Sequence, residues 1–282
     1  MKERRKAHSV GKTILTVVLI ILLLAGAGYF VYAYFQVENI KITGTHPTFS
    51  NSDIAKLAEI EPKTHMFFVN EDEIKERIEA EPYLEVKDIA KDYPKTLVIE
   101  VEERTAAAVI PYAEQYLLAD VYANVLEMLT ELPAEQYPVV TGFSIEAVNL
   151  GKQLSTQDSF KVNVYSEILT ALQERELAEQ IETIDLTDIN NIKMRTREGL
   201  DIKFGQADKV ADKVKMIKRM IPKLAASGDT TGTLDVTLGI SATYQLNGDE
   251  AAVPSEDTTQ PAEGAAQDGG DNTQTPEEGA AE

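Results

Sequence analysis

The longest uncharged stretch of the chain lies near its N-terminus, where residues 13–37 contain no acidic or basic side chain. A bilayer core requires roughly 20 apolar residues in a helix, so this pattern predicts a transmembrane helix at 13–35. Basic residues precede the stretch and Glu38 follows it, which predicts a cytoplasmic N-terminus and an extracytoplasmic remainder. The alternative is a cleaved signal peptide, because the small residues at 25–27 resemble a cleavage site. The apolar run continues well beyond that point.

The pattern in residues 36–104 predicts one small α+β domain. Apolar and polar residues alternate most regularly at 95–104, where Leu97, Ile99 and Val101 share one face. The predicted elements follow the order β-α-α-β-β: a strand at 37–43, one helix capped by Asn51 or Ser52 and a second capped by Asn70, and strands at 83–91 and 95–104.

Residues 105–246 predict a second domain, a mixed sheet packed by helices. The predicted elements are hairpins at 116–126 and 192–204, helices at 160–172 and 210–224, and a strand near 184–186. From Leu234 to Leu246 every second residue is apolar, which predicts one strand of thirteen residues. Its even-numbered residues are expected to face the core.

Charge is distributed unevenly along the chain. The net charge is −20, yet residues 1–12 are basic and are expected to form a cytoplasmic segment. Residues 247–282 contain ten acidic residues, no basic residue and almost no large apolar residue, which predicts a disordered acidic tail. An acidic ectodomain repels nucleic acid, so nucleic acid is not an expected partner and proteins are considered first.

The sequence offers little catalytic chemistry. There is no cysteine, and His8, His46 and His65 lack the spacing of a metal site. Nucleotide-binding loops and nucleophile motifs are absent from the sequence. Adjacent acids such as Glu102 and Glu103 are expected by chance in a chain with 47 acidic residues. We therefore expect no catalytic residues, no cofactor and no metal.

A basic face accompanies the apolar stripe of the predicted helix at 210–224. It consists of Lys209, Lys213, Lys215, Lys218, Arg219 and Lys223. The simplest interpretation is a solvated helix face that balances neighbouring acids. A docking surface for an acidic partner or for anionic lipid is the alternative.

Four short segments resemble the FtsQ/DivIB cell-division proteins. They are VENIKITG at 37–44, YPKTLVIEVEER at 93–104, REGLDIKFG at 197–205 and GTLDV at 232–236. The resemblance implies a POTRA domain at 36–104 and an FtsQ/DivIB-type β domain at 105–246, on a single-pass membrane anchor. It also implies a non-enzymatic scaffold in the cell membrane, enriched at the division septum.

The partners that the resemblance implies are FtsL-like and DivIC/FtsB-like division proteins, with a septal penicillin-binding protein as a further candidate. Many relatives have an Arg and an aromatic residue where this chain has Thr237 and Leu238, so side-chain contacts there are expected to differ. Two other functions remain open at this stage. A POTRA-type transport or chaperone protein shares the first domain, and an anchored cell-wall enzyme would require a catalytic site.

The predicted last strand is the candidate partner site. No segment follows it that could pair with it, and it contains neither Lys nor Pro, the residues that usually protect a sheet edge. The family resemblance implies that a partner segment is received there, whereas an interior strand is the structural alternative. The residues assigned to this site are Thr233, Asp235, Thr237, Leu238, Gly239, Ser241, Thr243 and Tyr244.

The composition of the tail leads to the first prediction. We expect deletion of residues 248–282 to leave the melting temperature of the purified protein unchanged, because this segment cannot bury enough apolar surface to offset its ordering entropy. Circular dichroism of the full and shortened chains measures the difference. A decrease of several degrees would show that the tail packs on the folded domains.

Overall fold

The computed structural model describes residues 10–133 and 136–246. The acidic tail predicted at 247–282 and most of the basic segment predicted at 1–12 lie outside these ranges. Helix α1 (Val10–Tyr34) begins three residues earlier than the predicted span. In the described part of the chain, it is the one helix long and apolar enough to cross a membrane.

The first domain follows the predicted order of elements. It contains β1 (Asn39–Thr43), α2 (Asn51–Leu57), α3 (Glu71–Ile78), β2 (Leu84–Asp92) and β3 (Thr96–Glu103). Strand β3 lies in the centre, parallel to β1 and antiparallel to β2. Its apolar residues Leu97, Ile99 and Val101 are fully buried, as the alternation predicts.

The helix caps of this domain show how closely local chemistry sets element boundaries. The Asn70 side chain accepts a hydrogen bond from the Glu73 amide, which confirms the predicted start of α3. Helix α2 is instead capped by Ser50, whose hydroxyl accepts from the Asp53 amide. The prediction of Asn51 or Ser52 is therefore wrong by one or two residues, because Ser50 alone has extended backbone angles suited to capping.

The second domain contains one large mixed sheet and two helices. Its strands are β4 (Ala108–Tyr112), β5 (Gln115–Ala119), β6 (Val125–Leu129), β7 (Val139–Thr141), β8 (Ile145–Ala147), β9 (Ser155–Thr156), β10 (Ile181–Asp185), β11 (Ile192–Thr196), β12 (Leu200–Gly205), β13 (Gly232–Asp235) and β14 (Thr243–Gln245). Within the described residues, nine of them pair in the order β14-β13-β12-β11-β10-β7-β4-β5-β6. Strands β8 and β9 form a separate pair.

Helices α4 (Ser159–Glu174) and α5 (Val210–Ser227) pack against each other and contribute to the core of this sheet. The Asp158 carboxylate accepts hydrogen bonds from the Phe160 and Lys161 amides at the start of α4. The spacing of Ser155 and Asp158 in the sequence also predicts a capping box between them, but Ser155 lies in β9. Phe160, predicted within the apolar stripe, is 56% exposed because it occupies the first turn, ahead of the packed part of the helix.

One basic residue of α5 contradicts the predicted solvated face. Lys213 is fully buried, together with Val210, Val214 and Ile217 of the apolar stripe. It lies three residues from Val210 and four from Ile217, so helical geometry places it on the buried face. Lys209, Lys215, Lys218, Arg219 and Lys223 are exposed as predicted.

The two domains meet around the side chain of Arg104. Its Nη1 atom donates to the carbonyl oxygens of Pro82 and Gly151, at 3.0 and 3.2 Å. Its Nε atom lies 3.7 Å from an Asp120 carboxylate oxygen. Arg104 therefore contacts backbone of both domains from a largely buried position.

The buried face of α5 can be tested with two neighbouring substitutions. Val214→Asp places an unpaired charge at a fully buried position, and we expect it to reduce the free energy of unfolding by at least about 3 kcal/mol. Lys215→Glu, at an exposed position, should change it little. Chemical denaturation of both variants measures the difference, and equal stabilities would contradict the assignment of faces.

Candidate partner-binding surface

The predicted thirteen-residue strand is wrong, because the chain turns back between β13 and β14. The Asp235 carboxylate accepts hydrogen bonds from the Thr237 amide and hydroxyl, at 3.0 and 2.7 Å. Such a local side-chain bond favours a turn over a continuing strand. Gly239 then adopts a φ of +70°, in the left-handed region that glycine enters without strain.

The turn also reverses the expected exposure of two apolar residues. Leu234 and Val236 are fully buried, as predicted, but Leu238 and Ile240 are 63% and 78% exposed. The alternation of apolar residues continues through the turn although the strand does not. These two side chains therefore form an exposed apolar tip next to the sheet edge.

The structure gathers all of the predicted site residues in one hairpin, but not on one strand. Thr233 and Asp235 lie in β13, Thr237, Leu238, Gly239 and Ser241 lie in the connecting segment, and Thr243 and Tyr244 lie in β14. Strand β13 pairs with β12 on one side and β14 on the other. The edge predicted for residues 233–246 is therefore provided by β14 alone.

The hydrogen-bond pattern identifies which backbone groups of β14 are open. The Val236 amide donates to the Lys203 carbonyl in β12, so Thr233 and Asp235 direct their backbone groups towards β14. Thr233 lies opposite Gln245, and Asp235 lies opposite Thr243. By alternation, the N–H and C=O of Tyr244 and the N–H of Leu246 point away from β13.

Tyr244 holds β14 against the preceding loop. Its hydroxyl lies 2.9 Å from the Thr231 carbonyl oxygen and 3.4 Å from that of Asp229. Burial, with a smaller effect of the Asp229 carboxylate, raises the pKa of this hydroxyl, which keeps it a neutral donor. The ring lies over Gly232, where a Cβ atom would be 2.6 Å from the Tyr244 hydroxyl oxygen.

The buried Lys213 side chain lies next to the connecting segment between β13 and β14. Its Nζ atom donates to the Gln206 carbonyl at 2.9 Å and to the Asp208 carboxylate at 2.6 Å. It also lies 5.1 Å from the centre of the Phe204 ring. The hydrogen bond from Lys213 lowers the pKa of Asp208.

The turn lies against Lys209 and, at a greater distance, against Lys213. A Cβ atom at Gly239 would lie 3.7 Å from Lys213 Cε and 3.1 Å from Lys209 Cδ. Charge alone does not distinguish Lys213 from the five other basic residues at 209–223. Its spacing from Val210 and Ile217 was the signal that could have placed it in the core.

The part of the chain that the structure describes contains no cluster of side chains suited to a metal ion. In residues 10–133 and 136–246 there is no group of three or more His, Asp or Glu side chains placed to hold a metal ion. The hairpin itself offers backbone donors and acceptors and exposed apolar side chains. This chemistry suits binding of a polypeptide segment.

Comparison with known proteins gives two family matches. Residues 35–104 match the model described as POTRA domain, FtsQ-type. Residues 108–237 match the model described as Cell division protein FtsQ/DivIB, C-terminal. The second match ends just after β13, so β14 lies beyond it.

Proteins similar in sequence to this chain are named DivIB or FtsQ, as in the description of the second family model. Cell division protein DivIB of Clostridium tetani is 21% identical over 209 residues, which is 74% of this chain and 78% of that protein. Cell division protein FtsQ of Syntrophotalea carbinolica is 24% identical over 203 residues, 71% of this chain and 70% of that protein. A solved structure of the major extracytoplasmic domain of DivIB from Geobacillus stearothermophilus is 14% identical, covers 44% of this chain and 97% of that chain, and has a TM-score of 0.32.

Removal of the buried lysine tests how the turn is supported. We expect Lys213→Ala to reduce the free energy of unfolding by about 2–4 kcal/mol, through lost packing and an unpaired Gln206 carbonyl. Amide exchange of Thr237 and Gly239, which donate within the turn, should accelerate. Hydrogen–deuterium exchange measures this, with the exposed Lys215→Ala as control. Equal exchange in both variants would contradict a supporting role for Lys213.

Proposed function

Because the chain belongs to the FtsQ/DivIB family of cell-division proteins, we propose that it is a non-enzymatic membrane scaffold of the division machinery. In this proposal helix α1 is the anchor, which its length and apolar composition support, and the basic residues before it favour a cytoplasmic N-terminus. The two folded domains then lie outside the membrane, at the division septum. FtsL-like and DivIC/FtsB-like proteins are the proposed partners, and a septal penicillin-binding protein is a further candidate.

The observation that supports partner binding most directly is the open edge of β14. At this edge Tyr244 presents one N–H and one C=O that no described residue pairs, as the pairing of β13 and β14 requires. A partner segment in extended conformation can satisfy these groups by adding a strand to the sheet. Such pairing provides affinity through main-chain bonds and leaves specificity to adjacent side chains.

The surroundings of the edge supply those side chains. Leu246 continues from β14 and is 50% exposed, and Leu238 and Ile240 are exposed at the tip of the same hairpin. An added strand that carries apolar residues can cover part of this surface. The hairpin from 229 to 246 contains no Lys or Pro, so nothing in its sequence opposes an added strand.

A proline substitution distinguishes backbone pairing from side-chain contact. Leu246→Pro removes an N–H that faces away from β13, so we expect the melting temperature to be retained. Binding to the FtsL-like and DivIC-like proteins should weaken by about tenfold, as expected for one lost backbone hydrogen bond of about 1.4 kcal/mol. Leu246→Ala keeps the N–H and controls for the side chain. Titration of labelled partners with the membrane-reconstituted protein measures the dissociation constants.

A second proline variant tests the assignment of the edge itself. Thr243 faces Asp235 across the hairpin, so Thr243→Pro should lower the melting temperature whereas Leu246→Pro does not. If Leu246→Pro remains folded and binds as well as Leu246→Ala, strand addition at β14 is wrong. If both proline variants destabilise the protein equally, the assignment of inward and outward groups is wrong.

A further inference from the structure

A group of aromatic rings surrounds the point where α1 ends and the first domain begins. Phe35 and Phe67 have ring centres 5.4 Å apart, and Phe67 and Tyr93 have ring centres 5.6 Å apart. Tyr34 lies 5.5 Å from Phe35 in an edge-to-face arrangement. We call Tyr34, Phe35, Phe67, Phe68 and Tyr93 the aromatic collar.

Backbone hydrogen bonds fasten the collar to the end of the helix. The Met66 amide donates to the Phe35 carbonyl and the Val37 amide donates to the Thr64 carbonyl, each at 2.8 Å. These bonds join the loop that carries Phe67 and Phe68 to the first residues after α1. The loop therefore lies beside the C-terminal end of the apolar helix.

The collar exposes large apolar side chains that the rest of the first domain buries. Phe67, Phe68 and Tyr93 are 55%, 77% and 50% exposed, and within residues 36–104, all of which the structure describes, they are the only exposed large hydrophobic side chains. Met66 is fully buried in the same short turn. Anchoring of Met66 thus directs the two phenylalanines that follow it outwards.

We propose that the aromatic collar inserts into the lipid headgroup region and seats the first domain on the outer face of the membrane. The inference rests on the proposed anchoring by α1. If α1 spans the bilayer, Tyr34 and Phe35 lie at its outer interface, and rings in contact with them lie at nearly the same depth. Aromatic side chains favour this region of a bilayer.

The chemistry of the collar fits a bilayer surface of neutral lipid. Its exposed members are uncharged, and exposed apolar groups of this kind mark a site that is covered in the working protein. Glu38 and Glu71 lie nearby and each forms an ion pair with a lysine, Lys95 and Lys91 respectively. We therefore assign the association of the collar with the membrane to burial of its rings and not to attraction by anionic headgroups.

The chain contains no tryptophan, so a single introduced tryptophan reports on its own surroundings. The full chain is reconstituted into phosphatidylcholine vesicles whose acyl chains carry bromine near the headgroups, which quenches tryptophan on contact. We expect Phe68→Trp to emit at shorter wavelength and to be quenched at least about twofold. Phe160→Trp, at an exposed position of the second domain (56%, against 77% for Phe68), is the control and should be unaffected.

A third variant separates this inference from the anchoring on which it rests. Leu22→Trp lies midway along α1 and hence deep in the bilayer, so it is measured in matching vesicles whose acyl chains carry bromine near their methyl ends. It should be quenched there wherever the collar lies. Insertion of the collar into the membrane is supported if Leu22→Trp and Phe68→Trp are quenched and Phe160→Trp is not. If Leu22→Trp is quenched and Phe68→Trp behaves like Phe160→Trp, the collar inference is overturned while the anchor stands, and the rings then face a protein. If Leu22→Trp is not quenched, the anchor fails and the collar inference with it.

Discussion

The Arg104 guanidinium is the interaction on which the arrangement of the two domains depends. It donates to the Pro82 carbonyl of the first domain and to the Gly151 carbonyl of the second. Its Nε atom forms no hydrogen bond with the described residues, but it lies at ion-pair distance from the buried Asp120 carboxylate. The planar guanidinium alone can reach these groups together, since lysine offers a single point of contact.

The position of this junction sets where the candidate partner edge lies. Asp120 follows β5, which is next to one end of the large sheet, whereas β14 forms the other end. Seven strand spacings separate β5 from β14, roughly 34 Å at about 4.8 Å each. The sheet therefore carries the partner edge away from the junction. A fixed first domain, held by Arg104 and by the proposed collar, would give that edge a defined position.

Local signals predicted most of the fold, and the three features that they missed have different physical causes. The Asn70 cap, the alternation in β3 and the turn at Gly199 each depend on neighbours in sequence, and each element forms where predicted. The last strand failed because apolar alternation is the same in a strand and in the turn that interrupts it. Lys213 was missed because charge was given more weight than its helical spacing from Val210 and Ile217. Arg104 was missed because burial of its charge depends on the Gly151 carbonyl, 47 residues away, which folding brings to it.

The correction to the last strand changes the physical basis of the proposed partner site. A long unprotected edge would pair indiscriminately, whereas β14 has only three residues, and short edge strands limit unwanted pairing. In the structure, β14 is held by the Tyr244 hydroxyl bonded to the Thr231 carbonyl beside Gly232, and the turn lies against Lys209 and Lys213. A strand that is already ordered costs a partner less conformational entropy on binding than a flexible one. Selectivity then comes from the few side chains that flank the edge, chiefly Leu246 and the exposed tip of the hairpin.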